Sequence, residues 1–247
     1  MSEPRNILPG EPIPCGSLFH ERRYRVASNV FHCIPRGLRF LDIGIGNASQ
    51  TEFFARHSKY TFGIDLQEAR LAEFRSDFMR RGLSNIHFLN GNAESLPFDR
   101  NIFDFVTCFE VLEHVENQKK TLEEIIRVLR PGGAIILSVP HRWWIFETHG
   151  ANLPLLPWNR FPFFSWLPKK IHDRWAHARI YTRKEIRELL LSAGFVEVRT
   201  ALLTAPMDVV KNRSVQAFLR RTIFSGDITS IPFLASNIFA CATKSAD

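Results

Sequence analysis

The sequence predicts an α/β fold built on a doubly wound, mainly parallel, seven-stranded sheet. Short apolar runs alternate with segments of helical periodicity, and acids and glycines follow directly after several of the runs. The chain has 247 residues, of which 45% are hydrophobic, which is enough for a core of this kind. Such sheets bind ligands at the carboxyl ends of their strands, so we expect the functional site there.

The elements follow in order along the chain. A helix near residues 19–34 precedes strands predicted near 39–43, 60–65, 86–89, 103–109, 134–139, 195–203 and 237–243. Leu122, Ile125, Ile126 and Leu129 recur at helical spacing, and this helix is expected to stop at 131–133, Pro-Gly-Gly. A later helix opens with Thr182 and Glu185 in a capping box and closes at Gly194.

The most informative segment is 39–48, where an apolar strand ends in Asp42 and runs into Gly44 and Gly46. Glycines at this point let the backbone turn sharply and approach a ligand closely. A dinucleotide-binding loop needs Gly or Ala five residues after its first glycine, where this chain has Ser49. Asp42 would repel a diphosphate and attract a cation, so we expect a nucleoside cofactor with a positive end. Alternatively, Asp42 only caps local amides.

A second strand ends in Asp65, about twenty residues downstream, as the recognition of a ribose requires. Its carboxylate can accept both ribose hydroxyl protons. Alternatively, Asp65 caps the next helix, which the spacing of Leu71, Phe74 and Phe78 predicts. The two acids together indicate a nucleoside site more strongly than either alone.

Further motifs occur in the same order as in a known family. They are Asn-Gly-Asn-Ala-Glu-Ser-Leu-Pro-Phe at 90–98, Phe-Asp-Phe-Val-Thr-Cys-Phe-Glu-Val-Leu-Glu-His-Val at 103–115, and Val-Leu-Arg-Pro-Gly-Gly-Ala-Ile-Ile-Leu-Ser at 128–138. With segment 39–48, they resemble class I S-adenosylmethionine-dependent methyltransferases, in the branch with quinone-biosynthesis and other small-molecule enzymes. The resemblance is close over about residues 38–140 and looser beyond. It implies a Rossmann-like methyltransferase fold and S-adenosyl-L-methionine as cofactor.

The resemblance also implies roles for single residues. Asp42, Gly44 and Gly46 would line the methionine part of the cofactor, and Asp65, with Leu66 beside it, would hold the ribose.

For the adenine and the methyl end, the implied residues lie further along the chain. The family usually has an acid for the adenine amino group where this chain has Asn92, which leaves open whether Asn92 or only the backbone of Ala93 reads the adenine. Glu110 would approach the methionine and methyl end. Arg23 would meet the methionine carboxylate, with Tyr24 flanking the site; alternatively, their helix only covers the sheet edge.

No catalytic base is assigned by the sequence. The sulfonium already makes its methyl group electrophilic, so the protein mainly aligns the acceptor, and a base is needed only when the nucleophile must lose a proton. His141, His114 and His149 are the candidates. His114 is expected to begin a helix, where it caps or packs.

Residues 140–181 are predicted to form an aromatic-rich insertion after the fifth strand. All five tryptophans lie there, together with His141, His149, His172 and His177. Aromatic walls with a few polar groups are typical of a small-molecule pocket, so the segment is interpreted as a lid or substrate-binding region. The alternative is a local hydrophobic core that shields one end of the sheet.

We expect residues 1–247 to form one methyltransferase domain, with a cofactor core at about 38–140, the insertion at about 140–181 and a C-terminal completion of the sheet at 182–247. Cys15, Cys33, Cys108 and Cys241 are widely spaced and suggest neither a disulfide framework nor a zinc site, so no metal is predicted. Without a secretory or spanning apolar segment, a cytoplasmic location is expected.

A membrane surface is a further predicted partner. Bulky apolar residues lie beside cations in two places: Trp158, Phe161, Phe163, Phe164 and Trp166 with Arg160, Lys169 and Lys170, and the segment Val209–Ile223. We expect weak peripheral binding to anionic lipid; alternatively, these are ordinary helices with a solvated basic face.

The leading functional hypothesis is methyl transfer to a small, lipid-like or quinone-like acceptor. The net charge is +7, but the basic residues occur as scattered pairs, so nucleic acid is not expected. The alternatives are an RNA or sugar methyltransferase and a non-catalytic cofactor-binding partner protein, with an NAD-dependent oxidoreductase the poorest fit.

Overall fold

The computed structural model describes residues 13, 15–34, 37–68, 85–151 and 162–246, and these form an eight-stranded sheet with helices packed on it. The strands are β1 (Gly37–Ile43), β2 (Ser58–Asp65), β3 (Ile86–Asn90), β4 (Phe103–Phe109), β5 (Leu129–Pro140), β6 (Phe195–Thr204), β7 (Ile228–Thr229) and β8 (Ala235–Lys244). The helices are α1 (Leu18–Arg25), α2 (Thr51–Ala55), α3 (Gln118–Val128), α4 (Lys169–Trp175), α5 (Arg183–Ser192) and α6 (Arg213–Arg221). The predicted helix through Leu71, Phe74 and Phe78 lies outside the described residues.

The strands lie in the order β3-β2-β1-β4-β5-β8-β6-β7. The first five pair in parallel, whereas β8 runs antiparallel between β5 and β6. From β1 the sheet is extended to one side by β2 and β3 and to the other side by β4 and β5. At such a switch point, between β1 and β4, a ligand crevice forms at the carboxyl ends of the strands. The predicted doubly wound, mainly parallel fold is confirmed. The eighth strand is the two-residue β7, too short to leave a periodic signal in the sequence.

Two hydrophobic cores cover the faces of the sheet, as the apolar run of β1 predicts. Phe40 packs on one face, where it stacks on Phe105 at 4.4 Å between ring centroids. Leu41 and Ile43 pack on the other face, and all three side chains are buried. Because β1 is covered on both faces, its carboxyl end is held rigidly between β2 and β4.

The predicted stop of the third helix at 131–133 is wrong. Helix α3 ends at Val128, and Leu129 already belongs to β5, where it pairs with Phe103. The ladder shifts register between Phe103 and Phe105, so the Pro-Gly-Gly segment is taken up inside the strand. The capping box of α5 is confirmed: Thr182 Oγ1 accepts from the Glu185 amide at 3.3 Å, and Glu185 Oε2 accepts from the Thr182 amide at 2.7 Å.

Candidate functional site

The candidate site lies at the carboxyl edge of the parallel strands. Asp42 and the glycine loop end β1, Asp65 ends β2, and Glu110 follows β4 directly. These groups are far apart in the sequence and become neighbours because parallel strands end at one edge of the sheet. The sequence-predicted acids therefore share one edge.

Asp42 is enclosed, and each oxygen of its carboxylate accepts one hydroxyl hydrogen bond. Thr51 Oγ1 donates to Oδ2 and Thr107 Oγ1 donates to Oδ1, each at 2.5 Å, while only 3% of Asp42 is exposed. Burial raises the pKa of Asp42 to about 6, although the two hydroxyl hydrogen bonds and the Arg23 charge act in the opposite direction. Among the residues that the structure describes, the donors to Asp42 are thus threonine hydroxyls, not the local amides of the alternative interpretation.

Gly44 and Gly46 form the loop after β1, and both have positive φ. Gly44 has a φ of +74°, and a Cβ atom on it would lie 2.1 Å from Val111 Cγ2. Gly46 has a φ of +52°, and its amide donates to Asp65 Oδ2 at 3.0 Å. The loop therefore needs glycine at Gly44 for two independent reasons, backbone conformation and the space beside Val111.

Asp65 ties the end of β2 to the glycine loop. Besides the bond from Gly46, its Oδ1 accepts from the Gln67 amide at 2.9 Å, the geometry expected of a capping carboxylate. Leu66 beside it is 67% exposed, although it is a large apolar side chain. An exposed apolar side chain next to a carboxylate at the sheet edge suits contact with a nucleoside.

Asn92 and Ala93 lie past the end of β3 and face different surroundings. Asn92 is exposed, and its Oδ1 accepts from the Glu94 amide at 2.8 Å in a tight turn. Ala93 is buried in the core on one face of the sheet. The asparagine carbonyl keeps a second lone pair beyond the one used in the turn.

Glu110 adopts a left-handed backbone conformation, with a φ of +55°, and its carboxylate is tightly held. Its Oε1 accepts from Arg23 Nη2 at 2.5 Å, from Asn237 Nδ2 at 2.7 Å and from Ser138 Oγ at 3.1 Å. Left-handed non-glycine residues persist only where the surroundings fix them, and they concentrate at functional sites. Four elements, α1, β4, β5 and β8, thus meet at this carboxylate.

Arg23 reaches Glu110 from α1 and is itself almost completely enclosed, with 2% exposed. Its guanidinium lies over the Phe19 ring at 4.0 Å and near the Phe109 ring at 5.1 Å. Tyr24, the next residue, bonds instead to His57 Nε2 through its hydroxyl at 2.7 Å. Of these two neighbours, only Arg23 contacts the described acidic residues of the site.

A second cluster joins the loop after β4 to the insertion. His149 Nε2 lies 3.4 Å from Glu113 Oε1 and 3.6 Å from Glu110 Oε2. The His114 ring meets the His149 ring edge to face, with centroids 4.9 Å apart. Glu113 is fully buried, and burial, followed by the nearby Glu110 charge, raises its pKa well above the usual range.

Within the described ranges, Glu113, His114 and His149 also form the group whose ligand atoms could hold a metal ion, all within 4.8 Å of one another. The absence of a metal stays a prediction. The expectation that His114 begins a helix is wrong: it lies in a turn, and α3 starts only at Gln118, because the Asn117 side chain caps it by accepting from the Lys120 amide.

The insertion places His149 through a buried pair of its own. Glu147 Oε1 accepts from the His149 amide at 3.2 Å, and Glu147 Oε2 lies 3.0 Å from His172 Nε2. Glu147 and His172 are both buried, and the His172 ring packs on Phe164. The described part of the insertion is therefore both a small hydrophobic core and a support for one histidine at the site.

His141 does not join this cluster. It is buried, and its Nδ1 lies 3.1 Å from the Pro232 carbonyl and 3.3 Å from the Ala235 carbonyl. Burial lowers its pKa despite these contacts. The ring thus fastens β5 to the segment before β8.

Sequence motifs alone give no role to the residues that hold the carboxylates. Thr51 and Thr107 enclose Asp42, while Ser138 and Asn237 hold Glu110. The available signal was a polar residue inside an otherwise apolar strand, since such a group needs a partner when buried. Thr107, Ser138 and Asn237 all fit that description.

Two other observations concern the residues predicted to contact a membrane. Among the described residues, no helix combines the length and apolar character needed to cross a bilayer. Phe163 is 51% exposed and Trp166 39% exposed, whereas Phe164 is buried; Trp158, Arg160 and Phe161 lie outside the described residues.

Known proteins match both the sequence and the fold. The family described as "Methyltransferase domain" matches residues 41–137. A probable S-adenosylmethionine-dependent methyltransferase of Mycolicibacterium smegmatis is 30% identical, over 79% of this chain and 70% of that protein. A ubiquinone biosynthesis O-methyltransferase of Azoarcus sp. is 29% identical, over 70% of each chain. A possible histamine N-methyltransferase of Thermotoga maritima has a similar structure, with a TM-score of 0.59, 20% identity and 92% of each chain covered.

Proposed function

Because the chain belongs to the S-adenosylmethionine-dependent methyltransferases, we propose that it methylates a hydroxyl group on a small, quinone-like acceptor, with His149 as the general base. The ubiquinone-pathway relative, named as an O-methyltransferase, supports the choice of acceptor and of oxygen as the attacked atom. The single observation that carries the role of His149 is its placement between two carboxylates beside the end of β4.

The residues at the sheet edge fit the cofactor. S-adenosyl-L-methionine supplies an electrophilic methyl group on a positively charged sulfur. The glycine loop follows β1 with positive φ at both Gly44 and Gly46, and carboxylates stand at the ends of the three adjacent strands β2, β1 and β4, where they suit a positively charged sulfur and a ribose. We propose that Asp65 and Leu66 bind the ribose end and that Asn92 or the backbone of Ala93 binds the adenine.

For the methionine end we propose Asp42, Gly44 and Gly46 along the chain of the cofactor, with Glu110 facing its positive charge and Arg23 its carboxylate. Asp42 is only 3% exposed, so its charge would act on the cofactor mainly through the loop that it precedes. Glu110 keeps its Oε2 towards His149, and an anionic oxygen there favours a nearby positive charge.

The proposed task of His149 is to take the acceptor's hydroxyl proton on Nδ1, in place of its 2.9 Å contact with the Thr148 hydroxyl, as the oxygen attacks the methyl group; Nε2 keeps its own proton towards the two glutamates. Glu110, whose Oε2 lies 3.6 Å from His149 Nε2, is close enough to stabilise the imidazolium that results, as a carboxylate does for a catalytic histidine, while the buried Glu113 at 3.4 Å helps to orient the ring. Glu147 holds the backbone of His149 in place. His141 is a poor base by comparison, because burial lowers its pKa and its Nδ1 contacts backbone carbonyls.

An acceptor of this kind partitions into lipid. We therefore also propose that the protein associates peripherally with membranes.

The test uses purified protein, labelled S-adenosyl-L-methionine and a short-tailed hydroxylated quinone precursor. His149→Asn should lower kcat by about 10²-fold or more and flatten the rise of rate with pH, with unchanged cofactor affinity in calorimetry. His32→Asn is the matched control, since His32 is exposed with a φ of +48°, a conformation that asparagine also adopts. If His149→Asn transfers methyl groups at the wild-type rate, His149 is not the general base. If no hydroxylated acceptor gains label in the organic phase, the proposed class of acceptor is wrong.

A further inference from the structure

Helix α6 has an outer surface that nothing in the described structure covers. It is nine residues long, and none of its side chains is buried. It follows β6, which runs parallel to β5 because both are antiparallel to β8. The carboxyl end of β6 therefore lies at the same sheet edge as Glu110, and α6 stands on the side of the molecule that holds the candidate site.

One side of the helix is fastened to the protein. Leu219 packs in a cluster with Trp144, at the start of the insertion, and Phe224. Gln216 Nε2 donates to the carbonyls of Met207 and Val210 at 3.0 and 3.2 Å. The orientation of the helix is thus fixed, and so is the side it turns outward.

The outward side carries large apolar groups. Val215 is 47% exposed and Phe218 63%, and the flanking segments add Val209 at 63% and Ile223 at 55%. Phe146, in the insertion, is also exposed and contacts Trp144 with ring centroids 5.8 Å apart. Several large apolar side chains exposed along one short segment are typical of an interaction surface.

The charges around this surface have one sign. The segment Val209–Ile223 contains one lysine, three arginines and no acidic residue. Arg220 pairs with Asp208. Lys211 and Arg213 form no ion pair with any residue that the structure describes. On α3 and α5, by contrast, Lys119 pairs with Glu123 and Lys184 with Glu188.

We propose that the segment Val209–Ile223 docks on an anionic lipid bilayer, with Val215 and Phe218 inserted between the headgroups and the unpaired cations on the phosphates. The purpose of this docking rests on the proposed function, because it would hold the site beside an acceptor dissolved in lipid. Charge complementarity carries the choice of occupant, because basic residues flanking an apolar face match an anionic surface. A second copy fits poorly, since a symmetric contact would place the same cations opposite one another.

The experiment is sedimentation with vesicles of phosphatidylcholine, alone or mixed with phosphatidylglycerol. Wild type should bind the mixed vesicles at low salt and be released by added salt, and Val215→Ser/Phe218→Ser should bind about tenfold more weakly or less. Lys211→Glu/Arg221→Glu should lose the preference for the anionic vesicles. The control is Leu191→Ser, since Leu191 is 45% exposed on α5. The changed side chains are exposed, and unchanged thermal midpoints would verify folding.

Measuring turnover distinguishes a failure of this proposal from a failure of the proposed function. With a water-soluble acceptor, Val215→Ser/Phe218→Ser should retain the wild-type rate, and only turnover of acceptor held in anionic vesicles should fall. Wild type that stays in the supernatant at low salt overturns the proposal, as do serine variants that bind like wild type. A dimer in ultracentrifugation that Phe218→Ser abolishes, without vesicle binding, assigns the surface to a second copy and also overturns it.

Discussion

The buried carboxylate of Asp42 should make the stability of the protein depend on pH in a defined window. Burial raises the pKa of Asp42 from its ordinary value of 3.8 to about 6, against the hydrogen bonds from Thr107 and Thr51. Because the folded-state pKa lies above the unfolded one, the folded protein binds this proton more tightly. Stability from this group is therefore greatest below about pH 4 and declines as the pH rises towards 6.

The size of the effect follows from the same values. A rise from 3.8 to about 6 corresponds to about 3 kcal/mol over the whole window. About 2 kcal/mol of this falls between about pH 4 and pH 7. Asp42→Asn carries no charge at either pH, so its unfolding free energy lacks this contribution. We expect the stability of wild type relative to Asp42→Asn to fall by about 2 kcal/mol between those two pH values.

The assay is urea unfolding of wild type and Asp42→Asn at both pH values, and the comparison cancels the other titrating groups that the two proteins share. Thr107→Val is a useful companion, because it removes a hydrogen bond to the ionised form and should be more costly at neutral than at acid pH, by about 1 kcal/mol or more. A stability difference that does not change with pH would refute the reasoning, since it would mean that enclosure leaves the titration of Asp42 unchanged.

Three further predictions concern other parts of the site. Arg23→Ala should weaken S-adenosyl-L-methionine binding about tenfold in calorimetry, while Arg25→Ala, on the same helix but partly exposed, should not; equal affinities would remove Arg23 from the cofactor site. Gly44→Ala should abolish cofactor binding or destabilise the fold by about 1–3 kcal/mol more than Gly132→Ala, because both have positive φ but only Gly44 faces a neighbour at 2.1 Å; indistinguishable thermal and binding data would contradict this. Burial lowers the pKa of His172, but the hydrogen bonds and charges of Asp173 and Glu147 outweigh burial, so the net shift is upward. The contribution of His172 to the free energy of unfolding should therefore be complete below about pH 6.5 and be lost as the pH rises through the raised pKa. In urea unfolding, the difference in unfolding free energy between wild type and His172→Gln should shrink as the pH rises. A difference that does not change with pH would argue against a charged His172.

Local rules predicted several elements well, because their signals lie within a few residues. Phe40, Leu41 and Ile43 marked a strand buried on both faces, and Thr182 with Glu185 marked the start of α5. The end of α3 was predicted wrongly for the opposite reason. Whether Leu129 continues a helix or joins β5 depends on its pairing with Phe103, which no local pattern encodes.

The sequence by itself determined the order of the strands along the chain, the family, and the positions of Asp42, Gly44, Asp65 and Glu110 at strand ends, since apolar periodicity and short motifs are local properties. Only the tertiary structure decided which partners those groups meet. The contact of Glu110 with Arg23 and Asn237 joins residues 87 and 127 positions apart. Among three candidate histidines, only the packing of the insertion separates His149, beside two carboxylates, from His141, enclosed by backbone carbonyls. Long-range contacts of this kind depend on how the loops close over the sheet edge, which periodicity does not record.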